Sequence, residues 1–181
     1  ETGIMYIFSK SDVGRMSMSS RPDRSDMNFI NLQSRDAPPL RVDGLPLIKP
    51  PYGQIVAIDL NLGETLWSAI HGETPDSISK HPALVGLDIP RTGQVGRVGL
   101  LVTKTLVIAG DGGAYTNKDG EQEALLRAYN KLTGEQVGSL PMPAQQTGTP
   151  MTYEIDGVQY LAVAISGGNI PGRLRVYKNQ P

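Results

Sequence analysis

Short apolar runs broken by turn-forming residues dominate the chain. Ile4–Phe8 (IMYIF), Gln54–Asp59 (QIVAID), Gly99–Val102, Leu106–Ala109 (LVIA), Leu125–Tyr129 (LLRAY), Met151–Ile155 (MTYEI), Val158–Ile165 (VQYLAVAI) and Leu174–Tyr177 (LRVY) are rich in β-branched and aromatic residues. Gly, Asp, Asn or Pro bounds each of them, which is the pattern of short strands. In "EIDGVQY", Asp156-Gly157 separates two such runs. An Asp-Gly pair tolerates the positive φ angles of a tight hairpin turn, so a hairpin is predicted there. No window holds a long helical period. One helical turn is expected around Asp76–Lys80, after Thr74-Pro75. Residues Gly14–Pro50 are polar, contain several Arg and Pro, and lack periodicity, which predicts a long loop or insertion.

The runs repeat. "GQIVAIDLNLGETLWS", from Gly53, aligns without a gap on "ALLRAYNKLTGEQVGS", from Ala124, at an offset of 71. Ala57-Ile58-Asp59 falls on Ala128-Tyr129-Asn130, and Gly63-Glu64 on Gly134-Glu135. "GRLRVYKNQP", from Gly172, places Val176-Tyr177-Lys178 on Ala128-Tyr129-Asn130 at an offset of 48. A strand pair precedes each copy: Gly3–Lys10 with whatever lies before it, Gly99–Gly110, and Thr149–Gly167. The expected organisation is all-β, in three units of about 1–72, 73–143 and 144–181. Four short antiparallel strands per unit is the pattern of a β-propeller blade. Stacked blades cover each other's faces, so three units make only a partial propeller. The first unit lacks a clear first strand, and the third reaches Pro181 before a fourth, so the chain is expected to start and stop within blades.

Composition narrows the chemistry. The net charge is -1, which gives no electrostatic case for a nucleic-acid partner. Cysteine is absent, which excludes disulfides, thiolate metal sites and a cysteine nucleophile. No apolar stretch approaches the roughly 20 residues that span a bilayer as a helix.

Individual residues carry competing readings. Asp59, Asn61 and Glu64 have part of the spacing of a calcium loop, but Gly63 takes an acidic position and further ligands are missing. A hairpin turn capped by Asp59, and by Asn130 in the second copy, fits better. Trp67 is expected to dock on the neighbouring blade, the alternative being a platform for a ligand. Its counterpart, Gly138, leaves one blade without that anchor. His81, in "KHPALVGL", is a structural hydrogen-bonding group, an exposed loop residue or a proton relay. Two histidines, His71 and His81, without nearby acids make a poor metal site. Arg91 and Arg97, which flank "TGQVG", suit either interblade ion pairs or an acidic cofactor. "GDGGAYTNKDGEQE" (from Gly110) is expected to be an exposed loop.

The repeat text "AIDLNLGETLW" and "AYNKLTGEQVG" resembles the repeat of pyrroloquinoline-quinone (PQQ) dehydrogenases. "GLPLIKPPYGQIVAIDLNLGE" (Gly44–Glu64), "HPALVGLDIPRTG" (His81–Gly93), "TKTLVIAGDGG" (Thr103–Gly113) and "TGTPMTYEIDGVQYLAVAISGG" (Thr147–Gly168) are similar to the carboxy-terminal part of the quinoprotein glucose and related sugar or alcohol dehydrogenases. The resemblance implies the closing blades of an eight-bladed propeller, with PQQ and calcium on its axis. The implied reaction is oxidation of a sugar or alcohol hydroxyl, with hydride passing to the quinone, in a bacterial periplasmic or secreted setting. The family's catalytic aspartate, calcium ligand and tryptophan beneath the cofactor have no counterpart here, so no catalytic residue and no metal ligand is assigned.

The resemblance implies cofactor contact at three places. Tyr6-Ile7-Phe8-Ser9-Lys10 matches a "YV-x-x-Asn" strand, with Lys10 where the family usually has asparagine, and an ammonium can pair with a PQQ carboxylate. Gly96-Arg97 occupies the cofactor-side loop. Gly167-Gly168 lets backbone approach a planar group closely. The expected partners are the remaining blades of the same enzyme or another copy of the chain, with a small sugar or alcohol as substrate. The competing expectation is a non-catalytic propeller fragment that serves binding or assembly and completes a ring with another copy or chain, since exposed blade edges pair readily.

Overall fold

The structure, a computed structural model, describes residues 2–14, 17–31 and 40–179. In chain order its elements are β1 (Ile4–Lys10), β2 (Met18–Ser19), β3 (Ile30–Asn31), β4 (Arg41–Val42), β5 (Leu45–Pro46), β6 (Gly53–Asp59), β7 (Glu64–Ile70), the helical turn α1 (Asp76–Ser79), β8 (Leu101–Val102), β9 (Leu106–Gly110), β10 (Tyr115–Thr116), β11 (Gln122–Asn130), β12 (Gln136–Met142), β13 (Met151–Ile155), β14 (Val158–Gly167) and β15 (Ile170–Lys178). Seven of the eight runs expected as strands are strands, Gly99–Val102 is one only over Leu101–Val102, and the helical turn lies where Thr74-Pro75 led to it.

The chain divides into two compact units: residues 12–49, and the remainder. The smaller unit holds two two-stranded ribbons, β2-β3 and β4-β5. The β4-β5 hairpin turns through Asp43 (φ 49°) and Gly44 (φ 88°). This is a second Asp-Gly turn, present in the sequence as "VDGL" and not singled out there.

The larger unit is a partial β-propeller of three antiparallel sheets. Their strand orders are β1-β6-β7, then β8-β9-β11-β12 with β10 against the start of β11, then β13-β14-β15. The middle sheet therefore has four main strands. The first and third show three each among the described residues. The Asp156-Gly157 turn joins β13 to β14 with φ of 51° and 77°, and Ile155 pairs with Val158. This is the tight hairpin that an Asp-Gly pair favours.

The two strand–turn–strand segments 71 residues apart have the same geometry. Asp59 Oδ1 accepts from the amides of Asn61 and Leu62, and Asn130 Oδ1 from those of Leu132 and Thr133. The Gly63 and Gly134 amides close the turns on the carbonyls of Asp59 and Asn130. Register slips at Ala57/Ile58 in one and at Ala128/Tyr129 in the other. The acidic string at Asp59 is thus a capped turn: a short carboxylate or amide satisfies backbone donors that the hairpin leaves open.

Period-two burial then decides how the sheets stack. Ile55 and Ala57 of β6, with Tyr6 and Trp67, face Val107, Ala109 and Tyr129 of the middle sheet. The opposite face of the middle sheet puts Ala124, Leu126 and Met142 against Val163 and Ile165. Trp67 docks on the neighbouring sheet's turn. Its Nε1 donates to the Lys131 carbonyl at 3.1 Å, and Tyr6 Oη donates to the same oxygen at 3.2 Å. A Cβ at Gly134 would lie 2.5 Å from the indole.

Gly63 and Gly134 have nearly the same φ, 72° and 74°, but only Gly134 lies under an aromatic ring. Gly63→Ala is expected to cost about 1 kcal/mol, the left-handed backbone penalty alone. Gly134→Ala is expected to cost at least about twice that, because the indole must also shift. Urea denaturation of both variants checks the order, and equal losses would contradict the docking role given to Trp67.

Candidate functional site

The residues of interest lie where strands end and the chain crosses between sheets. Lys10, the last residue of β1, pairs with Gly53. The His71 amide donates to the Gly53 carbonyl at 3.0 Å, and His71 Nε2 bonds the carbonyl of Gly110, where β9 ends. The Gly110 amide donates to Gln146 Oε1. Gln146 forms a bridge with Ile165 near the end of β14, two residues before Gly167. A continuous series of backbone and buried polar contacts thus puts the ends of β1, β9 and β14 at one end of the three sheets. The crossing segments run through the same region, and glycines let them lie flat on it. A Cβ on Gly53 would collide with the Gln94 carbonyl, and one on Gly96 would sit 2.7 Å from the Gly112 Cα.

Beneath this end lies a charged knot between the first two sheets. Arg127 is 1% exposed and Asp111 0%. Arg127 Nε donates to Asp111 Oδ1 at 2.7 Å, and its Nη2 to Asp111 Oδ2 at 3.1 Å and Glu73 Oε1 at 2.9 Å. Its Nη1 shares Gln136 Oε1 with Arg91, both at 3.2 Å, and Arg91 also donates to the Ile70 carbonyl. Burial opposes the Arg127 charge, but hydrogen bonding and attraction from Asp111, then Glu73, outweigh it and hold its pKa above the ordinary value. Asp111 Oδ2 also accepts from the Leu125 amide.

His71 is buried beside this knot. The Gly110 carbonyl can only accept, so Nε2 carries the ring proton. Nδ1 then accepts from Tyr129 Oη at 2.8 Å. Burial lowers the His71 pKa below its ordinary value and raises that of Tyr129, so the imidazole is neutral and the phenol protonated. Outside the knot, Asp76 fastens α1 to β10 through the amide and hydroxyl of Thr116. Burial raises its pKa, but these bonds and Lys80 outweigh that and hold it at about 2.

The structure sorts the residues singled out in the sequence. Lys10 and Arg97 are exposed. Arg97 follows Gly96, which rests on Gly112. Gly167 and Gly168 form the turn between β14 and β15 with φ of 146° and 57°, and nothing lies within 4 Å of a Cβ at Gly168. Arg91 belongs to the interblade network. His81 Nδ1 accepts from the Ala83 amide, the structural role among its three readings. Asp111 corrects the expectation of an exposed loop after Gly110: it is the buried anion of the knot. Arg127 and Gln146 were not singled out in the sequence, and His71 was weighed there only as a poor metal ligand. A charged Arg at an inward position of "LLRAY" was the available signal, because such a charge needs a buried partner. Gln94 is 4% exposed and its Oε1 has no partner.

Among the described residues no group of three or more His, Asp or Glu is arranged to hold a metal. Lys10 and Arg97 are on the surface, and the turn at Gly168 is open.

Comparison with known proteins follows this geometry. A PQQ family model, described as glucose/ethanol/alcohol dehydrogenase, beta-propeller domain, matches residues 9–161. The chain is 32% identical over 124 residues to quinoprotein glucose dehydrogenase A of Acinetobacter calcoaceticus, covering 68% of this chain and 14% of the relative. Quinoprotein glucose dehydrogenase of Escherichia coli (strain K12) is 32% identical over 128 residues, with the same coverage. The glycerol dehydrogenase large subunit of Gluconobacter thailandicus is 30% identical over 125 residues, 68% of this chain and 16% of that protein. The chain therefore spans a small part of the relatives it matches.

Arg127→Met alone strands Asp111 and is expected to cost about 3–5 kcal/mol. Adding Asp111→Asn, which keeps an acceptor for the Leu125 amide, is expected to restore much of the loss in a double-mutant cycle by urea denaturation. His71 gives a pH dependence. Its folded-state pKa is depressed, so below the ordinary 6.5 the unfolded chain binds a proton that the folded chain refuses. Its contribution is complete above that value and is lost as pH falls below it. The urea midpoint is expected to drop between about pH 7.5 and about pH 5.5, with a shallower drop for His71→Gln. The same slope in both proteins would remove His71 from the account.

Proposed function

The chain belongs to the PQQ-dependent glucose/ethanol/alcohol dehydrogenase β-propeller family, and on that premise we propose that it forms closing blades of a sugar or alcohol dehydrogenase and one wall of its cofactor funnel. The observation that supports this reading is the series of contacts from Gly53 through His71, Gly110 and Gln146 to Ile165, which links the ends of β1, β9 and β14 where these residues lie. Units of about 1–72, 73–143 and 144–181 each supply strands of one blade, as repeats of one design. In the intact eight-bladed enzyme, bound PQQ would supply the acceptor for hydride from the substrate's hydroxyl-bearing carbon. This chain's residues would bind and orient it: the Lys10 ammonium and the Arg97 guanidinium would hold cofactor carboxylates, and the Gly167-Gly168 turn would admit the flat ring. The buried knot beneath keeps the strand ends in place.

The residues that remove the substrate proton and hold calcium belong to other blades in this proposal. Remaining blades of the same enzyme cover the outer faces of the first and third sheets, and the setting is periplasmic, as for a bacterial quinoprotein. No helix among the described residues is long and apolar enough to cross a membrane.

Titration of the chain with PQQ, followed by absorbance, tests the wall. Saturable binding is expected, weakened about tenfold by Lys10→Gln and by Arg97→Gln, as for loss of one charge-assisted contact. No binding would favour the assembly-module alternative. Dye-linked sugar oxidation by the chain with PQQ and calcium is expected to stay at background, and substantial turnover would overturn the assignment of catalysis to other blades.

A further inference from the structure

The two gaps between neighbouring sheets share a register but are filled differently. Arg127 pairs across β11 with Ala109, and Arg175 pairs across β15 with Val163. Each arginine points toward the preceding sheet, and each is followed two residues later by a tyrosine, Tyr129 and Tyr177. Around Arg127, carboxylates come from Asp111, two residues past Ala109, and from Glu73. At the corresponding places around Arg175 stand Ile165, two residues past Val163, and Ala144, 71 residues after Glu73. Both are apolar and buried. The second gap therefore repeats an arginine site from which both carboxylates have been removed.

Arg175 is not drawn into the interior. Its guanidinium lies 5.4 Å from the ring centroid of Tyr177, whose hydroxyl donates to the Pro141 carbonyl. Among the described residues no carboxylate pairs with Arg175. It opens onto a cleft of about 640 Å³, whose lining includes Pro141, Met142, Pro143 and Ile170 on the apolar side and Glu121 and Glu123 beside the amides of Asn117 and Gln122 on the polar side. The size is that of small-molecule sites, about 300–1,000 Å³. Neither glutamate forms an ion pair among the described residues. Glu123 is oriented by the Tyr115 hydroxyl at 3.1 Å.

We infer that this cleft binds a small zwitterion of the amino-acid class. Its carboxylate pairs with the Arg175 guanidinium at the edge of the cleft. Its ammonium faces Glu121 and Glu123, and its apolar side chain lies on Met142, Ile170 and the two prolines. A zwitterion matches the guanidinium and the glutamates together, where a simple anion or a simple cation matches only one of them.

L-Leucine is the probe, titrated into the 181-residue chain without PQQ and followed by calorimetry or by amide shifts at residues 121–123 and 175. Failure here leaves the cofactor-wall proposal untouched. Saturable binding of leucine is expected. L-Leucinamide, which lacks the carboxylate, and 4-methylpentanoate, which lacks the ammonium, are each expected to bind at least about tenfold more weakly. Arg175→Gln and Glu123→Gln should each weaken leucine by a similar factor. Both side chains are at least partly exposed, and an unchanged melting curve shows that the fold is kept. No saturation at tens of millimolar leucine, equal binding of the two half-charged analogues, or unaltered affinity in Arg175→Gln would each overturn the inference.

Discussion

A guanidinium that is 1% exposed cannot stand in a β-sheet interface without fixed anions around it, and this constraint organises the first two sheets. Arg127 sits on β11 and Asp111 just beyond β9, while Glu73 arrives from the first sheet's exit. The pair with Asp111 is internal to the middle sheet and the bond to Glu73 crosses to its neighbour, so the cation fixes both the curl of one blade end and the approach of the next. Such pairs add little net stability compared with a well-packed apolar pair. They do penalise any arrangement that leaves one partner behind, and the gain is therefore in specificity of position. His71, with both ring nitrogens bonded, lies against the same knot and adds the same kind of constraint without a charge.

The strand pattern was legible because one physical rule, period-two burial, governs it. The turns were legible because Asp, Asn and Gly have specific backbone uses. The ungapped copy at an offset of 71 reappears in three dimensions as the same capped turns and the same bulge. Trp67 could be assigned to interblade docking for a related reason: a large ring at the end of a strand–turn–strand unit has few places to go, and Gly134 leaves the space it fills.

The site was less legible. Asp111 stands in "GDGGAYTNKDGEQE", whose Gly, Asn and Asp content argues for solvent exposure. Its burial depends on Arg127, sixteen residues later in sequence and brought alongside only by the β9–β11 pairing. His71 is similar: neither Tyr129 nor Gly110 is near it in sequence. Composition reports local preference, whereas these partners are chosen by register between strands. Arg91 and Arg97 show the same limit. Both flank one glycine-rich segment, and only the fold separates the one bound to Ile70 and Gln136 from the one left on the surface.

The glycines at the strand ends connect this rigidity to binding. A segment that crosses from one blade to the next must pass over strand ends without lifting away from them, and side chains there would force a gap. Gly53 beneath the Gln94 carbonyl, Gly93 against Gly53, and Gly96 against Gly112 bring backbone onto backbone at successive steps. The crossing segment is then held flat by contacts that any Cβ would break. Lys10 and Arg97 project from this end of the sheets. In the proposed role, a flat anionic cofactor would gain from such a wall, because the ordering cost of the backbone is met in folding rather than at the moment of binding.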